Sequence, residues 1–231
     1  MTKVTLLALD TSTEACSVAL LHNGEKTYLY EVAERTHTKR ILPMVEQLLS
    51  QSGISLKQID ALAFGRGPGS FTGVRVGAGI TQGLALGADL PVIAVSDLLA
   101  MAQAAFELQG KTNIATAIDA RMNEVYFAQF CHQQTSVGMQ WQEIVKEQVC
   151  SPEQAIAQLD KAAFRVGTGW AAYAQFAQQE LIGSEIILPD ARFMLDIALT
   201  NWQQGKSISA LEIEPVYLRN EVTWQKLPGK G

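Results

Sequence analysis

Val4-Thr5-Leu6-Leu7-Ala8-Leu9-Asp10-Thr11-Ser12-Thr13-Glu14-Ala15-Cys16-Ser17-Val18-Ala19-Leu20-Leu21-His22-Asn23-Gly24 is an apolar run, an acidic turn, a second apolar run and a hairpin signal. Residues 4–9 have strand length and stop at Asp10-Thr11-Ser12. Residues 16–21 form a second strand, and His22-Asn23-Gly24 turns the chain into a third over 26–32. A helix is expected over 37–52, capped by Thr36 or Thr38 and stopped by Gly53, with Pro43 inside it. A fourth strand over 59–64 runs into Gly65-Arg66-Gly67-Pro68-Gly69-Ser70-Phe71-Thr72-Gly73. A second helix follows over about 72–86, a fifth strand over 92–95, and a third helix capped by Ser96 or Asp97 and ending near Gly110.

The order then repeats. Strands are expected over 114–118, ending in Asp119, then over 125–131 and 141–149. Ser151-Pro152-Glu153-Gln154 opens a helix with a capping pattern and Pro in its first turn. A strand ends at Gly167-Thr168-Gly169, a helix runs to about 179, a fifth strand covers 185–188, and Asp190 caps a last helix ending near Gly205. Asp10 precedes Cys16 by the same offset as Asp119 precedes Val125. Both halves read βββαβα, which implies two similar α/β lobes, each a mixed sheet covered by helices, with a cleft between them. The expected division is 1–110 for the N-terminal lobe with its partner-binding helices, 111–205 for the C-terminal lobe, and 206–231 for a tail packing back on the N-terminal lobe.

Composition narrows the function classes. The chain has 231 residues, 48% hydrophobic and 18% charged, which excludes a disordered chain. A net charge of −5 does not favour gripping nucleic acid alone. Three cysteines, Cys16, Cys131 and Cys150, form no Cys-x-x-Cys pair, which suits a reducing compartment and inert buried thiols. Residues 76–88 are uncharged but too short and glycine-rich to span a membrane. The start of the chain lacks a signal-peptide pattern, so the cytoplasm is the expected location.

Two-lobed folds with Asp-led loops resemble the sugar-kinase, Hsp70 and actin group, where the first hairpin of each lobe cradles phosphates. Three stretches carry a closer resemblance: 10–20; 65–77, from Gly65 to Gly77; and Pro215-Val216-Tyr217-Leu218-Arg219. Together they are similar to the TsaB (YeaZ) family, across essentially the whole chain. That resemblance implies a non-catalytic subunit of the bacterial machine that makes N6-threonylcarbamoyladenosine at position 37 of tRNAs reading codons that begin with A. It implies a heterodimer with a catalytic paralogue, TsaD, which transfers threonylcarbamoyl from its adenylate. It also implies an ATPase partner, TsaE, a homodimer in isolation, and contact with tRNA only through the complex.

The residues qualify what chemistry remains. The catalytic relative carries a His-x-x-x-His pair after the fifth strand, and here Asp97 and Met101 stand in those places. A thioether is a poor ligand for a hard or borderline metal, and His22, His37 and His132 form no spaced pair, so no metal site is expected. Asp10, Thr11, Ser12 and Asp119 could hold phosphate and Gly167 and Gly169 an adenine, or all could serve as turn residues. No cofactor of its own is expected, with ATP left open.

The second helix is more informative. Gly73-Gly77 and Gly79-Gly83-Gly87 make two smooth ridges, and each interior Gly costs roughly 1 kcal/mol against Ala. Ile41, Leu42, Met44, Val45, Leu48 and Leu49 of the first helix span an arc of about 160°. These surpluses suggest a docking face of Met44, Leu48, Arg75, Val76, Gly79, Ile80, Gly83, Leu84 and Gly87. The alternatives are a free-standing two-lobed ATPase or kinase using Asp10 and Asp119, and a peptidase-like or peptidase-regulating protein, for which no Ser–His–acid set is visible.

Overall fold

The computed structural model describes residues 3–32, 36–136, 138–177 and 185–219. β1 (Leu6–Asp10) is the centre of the first sheet, antiparallel to β2 (Ala15–His22) and parallel to β4 (Ala61–Gly65). β3 (Glu25–Val32) and β5 (Val92–Val95) complete the order β3-β2-β1-β4-β5. Every residue of β1 is buried, as a strand covered on both faces must be. Its period of two sends Leu7 and Leu9 to one apolar cluster and Leu6 and Ala8 to the other.

The first cluster lies under α1 (His37–Gln51) and α2 (Phe71–Ala88). α1 runs through Pro43 and ends at Gly53, whose φ of 67° is the left-handed stop read from the sequence. The opposite face is covered by α6 (Ala191–Gln203) and by part of α3 (Asp97–Gln109). α3 begins at the Ser96 cap, whose hydroxyl accepts from Leu99 N–H at 3.1 Å, and ends at Gly110.

The second sheet repeats the order without its fifth strand: β8 (Gly138–Cys150), β7 (Glu124–Thr135), β6 (Asn113–Arg121), β9 (Phe164–Val166). Its faces pack on α3 through Leu98, Met101, Ala102 and Ala105, and on α4 (Pro152–Gln158) with Trp170 and Phe176. α3 therefore sits between the lobes and belongs to both cores.

Three expectations need correction. Residues 185–188 form no strand; one hydrogen bond, Gly167 N–H to Ile186 O at 2.9 Å, is what remains of that pairing. The helix after Gly169 is a single turn, α5 (Gly169–Ala172), followed by a 3₁₀ turn over Ala174–Phe176; residues 178 and 179 lie outside the described residues. α6 lies within 111–205 but packs Met194, Leu195 and Ile197 on the first sheet, because α3 alone leaves that apolar face open. Residues 208–217 also lie on the first lobe, with Ile208 bridged to Val92, with Ala210 and Ile213 in its core and with Val216 bonded to Arg66, while Arg219 reaches the second lobe. Residues 220–231 are outside the described residues.

Candidate functional site

Asp10, Thr11 and Ser12 end β1 and are fully or almost fully buried. Their polar groups are consumed inside the chain. Thr11 Oγ1 donates to Gly73 O at 2.7 Å, Ser12 O accepts from Ser70 N–H at 2.6 Å, and Asp10 Oδ1 accepts from Ser12 N–H at 3.0 Å. The start of α2 is pressed against this turn. A Cβ on Gly69 would stand 2.3 Å from Ser12 O, and one on Gly73 would stand 2.1 Å from Thr11 O. The Gly73-Gly77 ridge is thus the inward one, and it lets the helix backbone seal the loop.

The partner of Asp10 is Asp97, not Asp119. Both side chains are wholly buried, and a Cβ on Gly65 would lie 2.2 Å from Asp10 Oδ1 and 2.4 Å from Asp97 Oδ1. Asp97 Oδ2 accepts from Gly67 N–H at 2.6 Å, while Oδ1 meets no N–H donor. Burial pushes both carboxyls upward; Asp97 is driven well above the carboxylate range by burial first and the charge of Asp10 second. With their oxygens turned toward one another, both carboxyls are biased toward the protonated form, Asp97 more strongly than Asp10. Asp190, itself raised by burial, adds negative charge nearby. Met101 is fully buried in the inter-lobe core, beside Gly167. Among the described residues, no group of three or more His, Cys, Asp or Glu side chains could hold a metal ion.

The second hairpin is also self-contained. Asp119 accepts from Tyr173 OH at 2.6 Å and Arg121 N–H at 2.9 Å, and pairs with the Arg121 guanidinium at 2.9 Å. Arg121, Met122 and Asn123 all have left-handed φ, 61°, 57° and 59°, in a turn that contains no glycine. Arg121 and Met122 each cost about 1–2 kcal/mol there, while Asn123 takes the left-handed conformation more readily. Gly167 and Gly169 pack directly on Ala117: their Cβ atoms would fall 2.0 Å from its O and 2.9 Å from its C. That is close strand-to-turn packing, the turn reading of those two glycines.

The other ridge of α2 faces outward. Gly79, Gly83 and Gly87 are exposed, with nothing within 4 Å of where a Cβ would stand. Val76, Ile80 and Leu84 are half-buried beside them, and Arg75 is exposed. Two residues expected on this face do not belong to it. Met44 and Leu48 are buried at 3% and 1% exposure in the lobe's own core. The broad apolar arc of α1 packs on β2 and against α2, leaving Leu42 as its exposed member. Sequence reasoning placed Arg75 on this face but missed its two aromatic neighbours, Phe71 and Tyr217. Phe71 is 64% exposed at the start of α2, and the Arg75 guanidinium lies 3.2 Å from its ring centroid and 4.8 Å from that of Tyr217. Their signal was present: Phe71 follows the glycine loop, and Tyr217 sits in the Pro215–Arg219 stretch.

The two sheets, with α3 shared between their cores, define a two-lobed, actin-like protein. The family model described as tRNA N6-adenosine threonylcarbamoyltransferase, TsaD, matches residues 28–199. Within that class the full-length relatives are more specific. A "tRNA threonylcarbamoyladenosine biosynthesis protein TsaB" of Haemophilus influenzae is 66% identical, covering 100% of both chains. The protein of that name from Escherichia coli is 49% identical over 97% of this chain and 99% of its own length. YeaZ from Pseudomonas aeruginosa superposes with a TM-score of 0.84 at 46% identity, covering 94% of this chain and 100% of that one. The chain belongs to the TsaB (YeaZ) family.

Proposed function

We propose that the chain is a non-catalytic docking subunit in the biosynthesis of threonylcarbamoyladenosine in tRNA. It holds a catalytic paralogue of the TsaD family against the outward face of α2 and does no chemistry itself. The observation that carries this reading is the exposed Gly79-Gly83-Gly87 ridge, which offers bare helix backbone flanked by Val76, Ile80 and Leu84. Three glycines in a helix interior or last turn cost stability, and a close helix–helix contact is what gives that cost a return. The partner's fold would be like this one, since the transferase family model itself matches this chain.

The sealed loop supports the absence of catalysis and of a nucleotide of its own. Thr11 and Ser12 spend their groups on α2, and Asp10 is buried against Asp97 and bonded to Ser12. A free-standing ATPase would need these groups facing a ligand. TsaE would complete the complex, a second copy would use the same face when the paralogue is missing, and tRNA would be met through the assembly.

The test is co-elution on size exclusion of the purified chain with a TsaD-family paralogue from the same bacterium. Val76→Glu and Gly83→Glu should abolish it while circular dichroism stays native. Co-elution surviving both substitutions would put the interface elsewhere. ATP turnover by the lone chain, lost in Asp10→Ala, would favour the ATPase instead.

A further inference from the structure

The segment Pro215-Val216-Tyr217-Leu218-Arg219 touches both lobes and the docking helix within a few residues. Val216 N–H donates to Arg66 O at 2.7 Å, and a Cβ on Gly67 would stand 2.9 Å from Val216 O, so the strap lies flat on the loop after β4. Tyr217 joins the exposed end of α2, with its ring 6.2 Å from Phe71 and 4.8 Å from the Arg75 guanidinium. Arg219 reaches the second lobe. Its guanidinium donates to Ala120 O at 3.1 Å and to Met122 Sδ at 3.3 Å, and pairs with the Glu124 carboxylate. The loop it crosses is tied to the same lobe by a second route, since Arg66 pairs with Glu147 of β8 at 2.9 Å.

We infer that residues 215–219 are an inter-lobe clamp that fixes the angle between the two lobes and builds Tyr217 into the docking face of α2. The apolar core along α3 is one line of contact between the lobes. A single line of contact permits pivoting; polar ties at the hairpin tip add a second line and remove that freedom. A guanidinium suits the task because its planar fork serves a carbonyl and a carboxylate at once. It also caps a turn whose three consecutive left-handed residues would otherwise relax. The Phe71–Arg75–Tyr217 stack has the aromatic and arginine composition of an interface hot spot. It is continuous with the glycine ridge through Arg75, one helical turn from Gly79. The partner is the same-fold paralogue proposed above, and this part of the inference rests on that reading.

The test compares Arg219→Ala, Arg219→Lys and Tyr217→Ala by amide hydrogen exchange in the free chain and by titration with the TsaD-family paralogue. Charge-assisted hydrogen bonds of this kind are each worth about tenfold or more. Arg219→Ala should therefore speed exchange at 120–124 and 66–70 by about tenfold, leave β1 and α1 unchanged, and weaken partner binding several-fold. Arg219→Lys should fall between, keeping the charge and losing the fork. Tyr217→Ala should weaken partner binding with exchange at 120–124 unchanged. Unaltered exchange at 120–124 in Arg219→Ala overturns the clamp. Faster exchange with wild-type partner affinity in both Arg219→Ala and Tyr217→Ala overturns its place in the docking face. Val76→Glu run alongside separates the two ideas: if that variant still binds, the docking reading has failed, and the exchange data still decide the clamp.

Discussion

Replacing Gly79 and Gly83 together by alanine should stabilise the free chain and weaken its hold on a partner. Neither site has an atom within 4 Å of the new Cβ, so the methyl groups enter open space. Helix propensity then contributes about 1 kcal/mol at each site. Both methyl groups enter open space, so the two gains sum to about 2 kcal/mol at most. For a chain of this size each kcal/mol moves Tm by about 2–4 °C, so the double variant should melt higher, by up to about 4–8 °C. Gly73→Ala is the internal control. Its Cβ would stand 2.1 Å from Thr11 O, a backbone atom that cannot swing away. Overpacking of this kind costs about 1–3 kcal/mol and outweighs the propensity gain, so this variant should melt lower. The assay is thermal unfolding by circular dichroism across a dilution series, which separates intrinsic stability from self-association, with calorimetric titration of the paralogue in parallel. A double variant that melts below the wild type would show that the outer face of α2 is not free. One that melts higher yet binds with unchanged affinity would show that the glycine ridge is not the contact.

Further outcomes follow from the core and the buried acids. Leu48→Ala should lower the urea midpoint by the equivalent of about 3 kcal/mol, as a fully buried leucine does, while the folded fraction still binds the paralogue. Asp97 has a folded pKa above its unfolded value, so the native state holds the extra proton, and stability falls as pH rises from the ordinary carboxylate range through the raised pKa. Urea midpoints from pH 5 to pH 8 should therefore decline in the wild type and flatten in Asp97→Asn; parallel curves would refute the raised pKa of Asp97. Burial pushes the Cys16 thiol up to about 12 and the Cys150 thiol to about 11, so iodoacetamide at pH 8 should modify Cys131 first and reach Cys16 only on unfolding, read by mass spectrometry.

What the sequence disclosed was what depends on local period and turn chemistry. The Leu6-Leu7-Ala8-Leu9 run has strand length and forms β1, and Asn23-Gly24 turns the chain, with φ values of 54° and 84°. The repeated order of elements gave the two lobes. What stayed hidden depends on which element covers which face. An amphipathic α6 announces that one side is buried, yet nothing in its period says that the sheet beneath it is the first one. The wide arc of α1 was read as surplus, but a helix touching a sheet and a second helix needs a wide apolar arc for its own lobe. The Asp10–Asp97 pair joins residues far apart in the chain and could be found only by folding it.

The two glycine ridges of α2 show how one helix serves two purposes. Gly73 and Gly77 face the Asp10 turn and let backbone meet backbone, with Thr11 Oγ1 donating to Gly73 O. Gly79 and Gly83, on the other ridge, face solvent. If both ridges existed only to build the lobe, the second would gain stability from alanine and nothing would resist the change. A sealed loop and an open helix face are thus two consequences of one placement of α2. Pressing its first turn into the loop removes the groups a ligand would need, and it leaves the outer face of the helix, Gly79, Gly83 and Gly87, clear of its own lobe. The same placement sets Phe71 and Arg75 beside Tyr217, where a strap anchored on the second lobe can hold that helix end in register with the whole molecule.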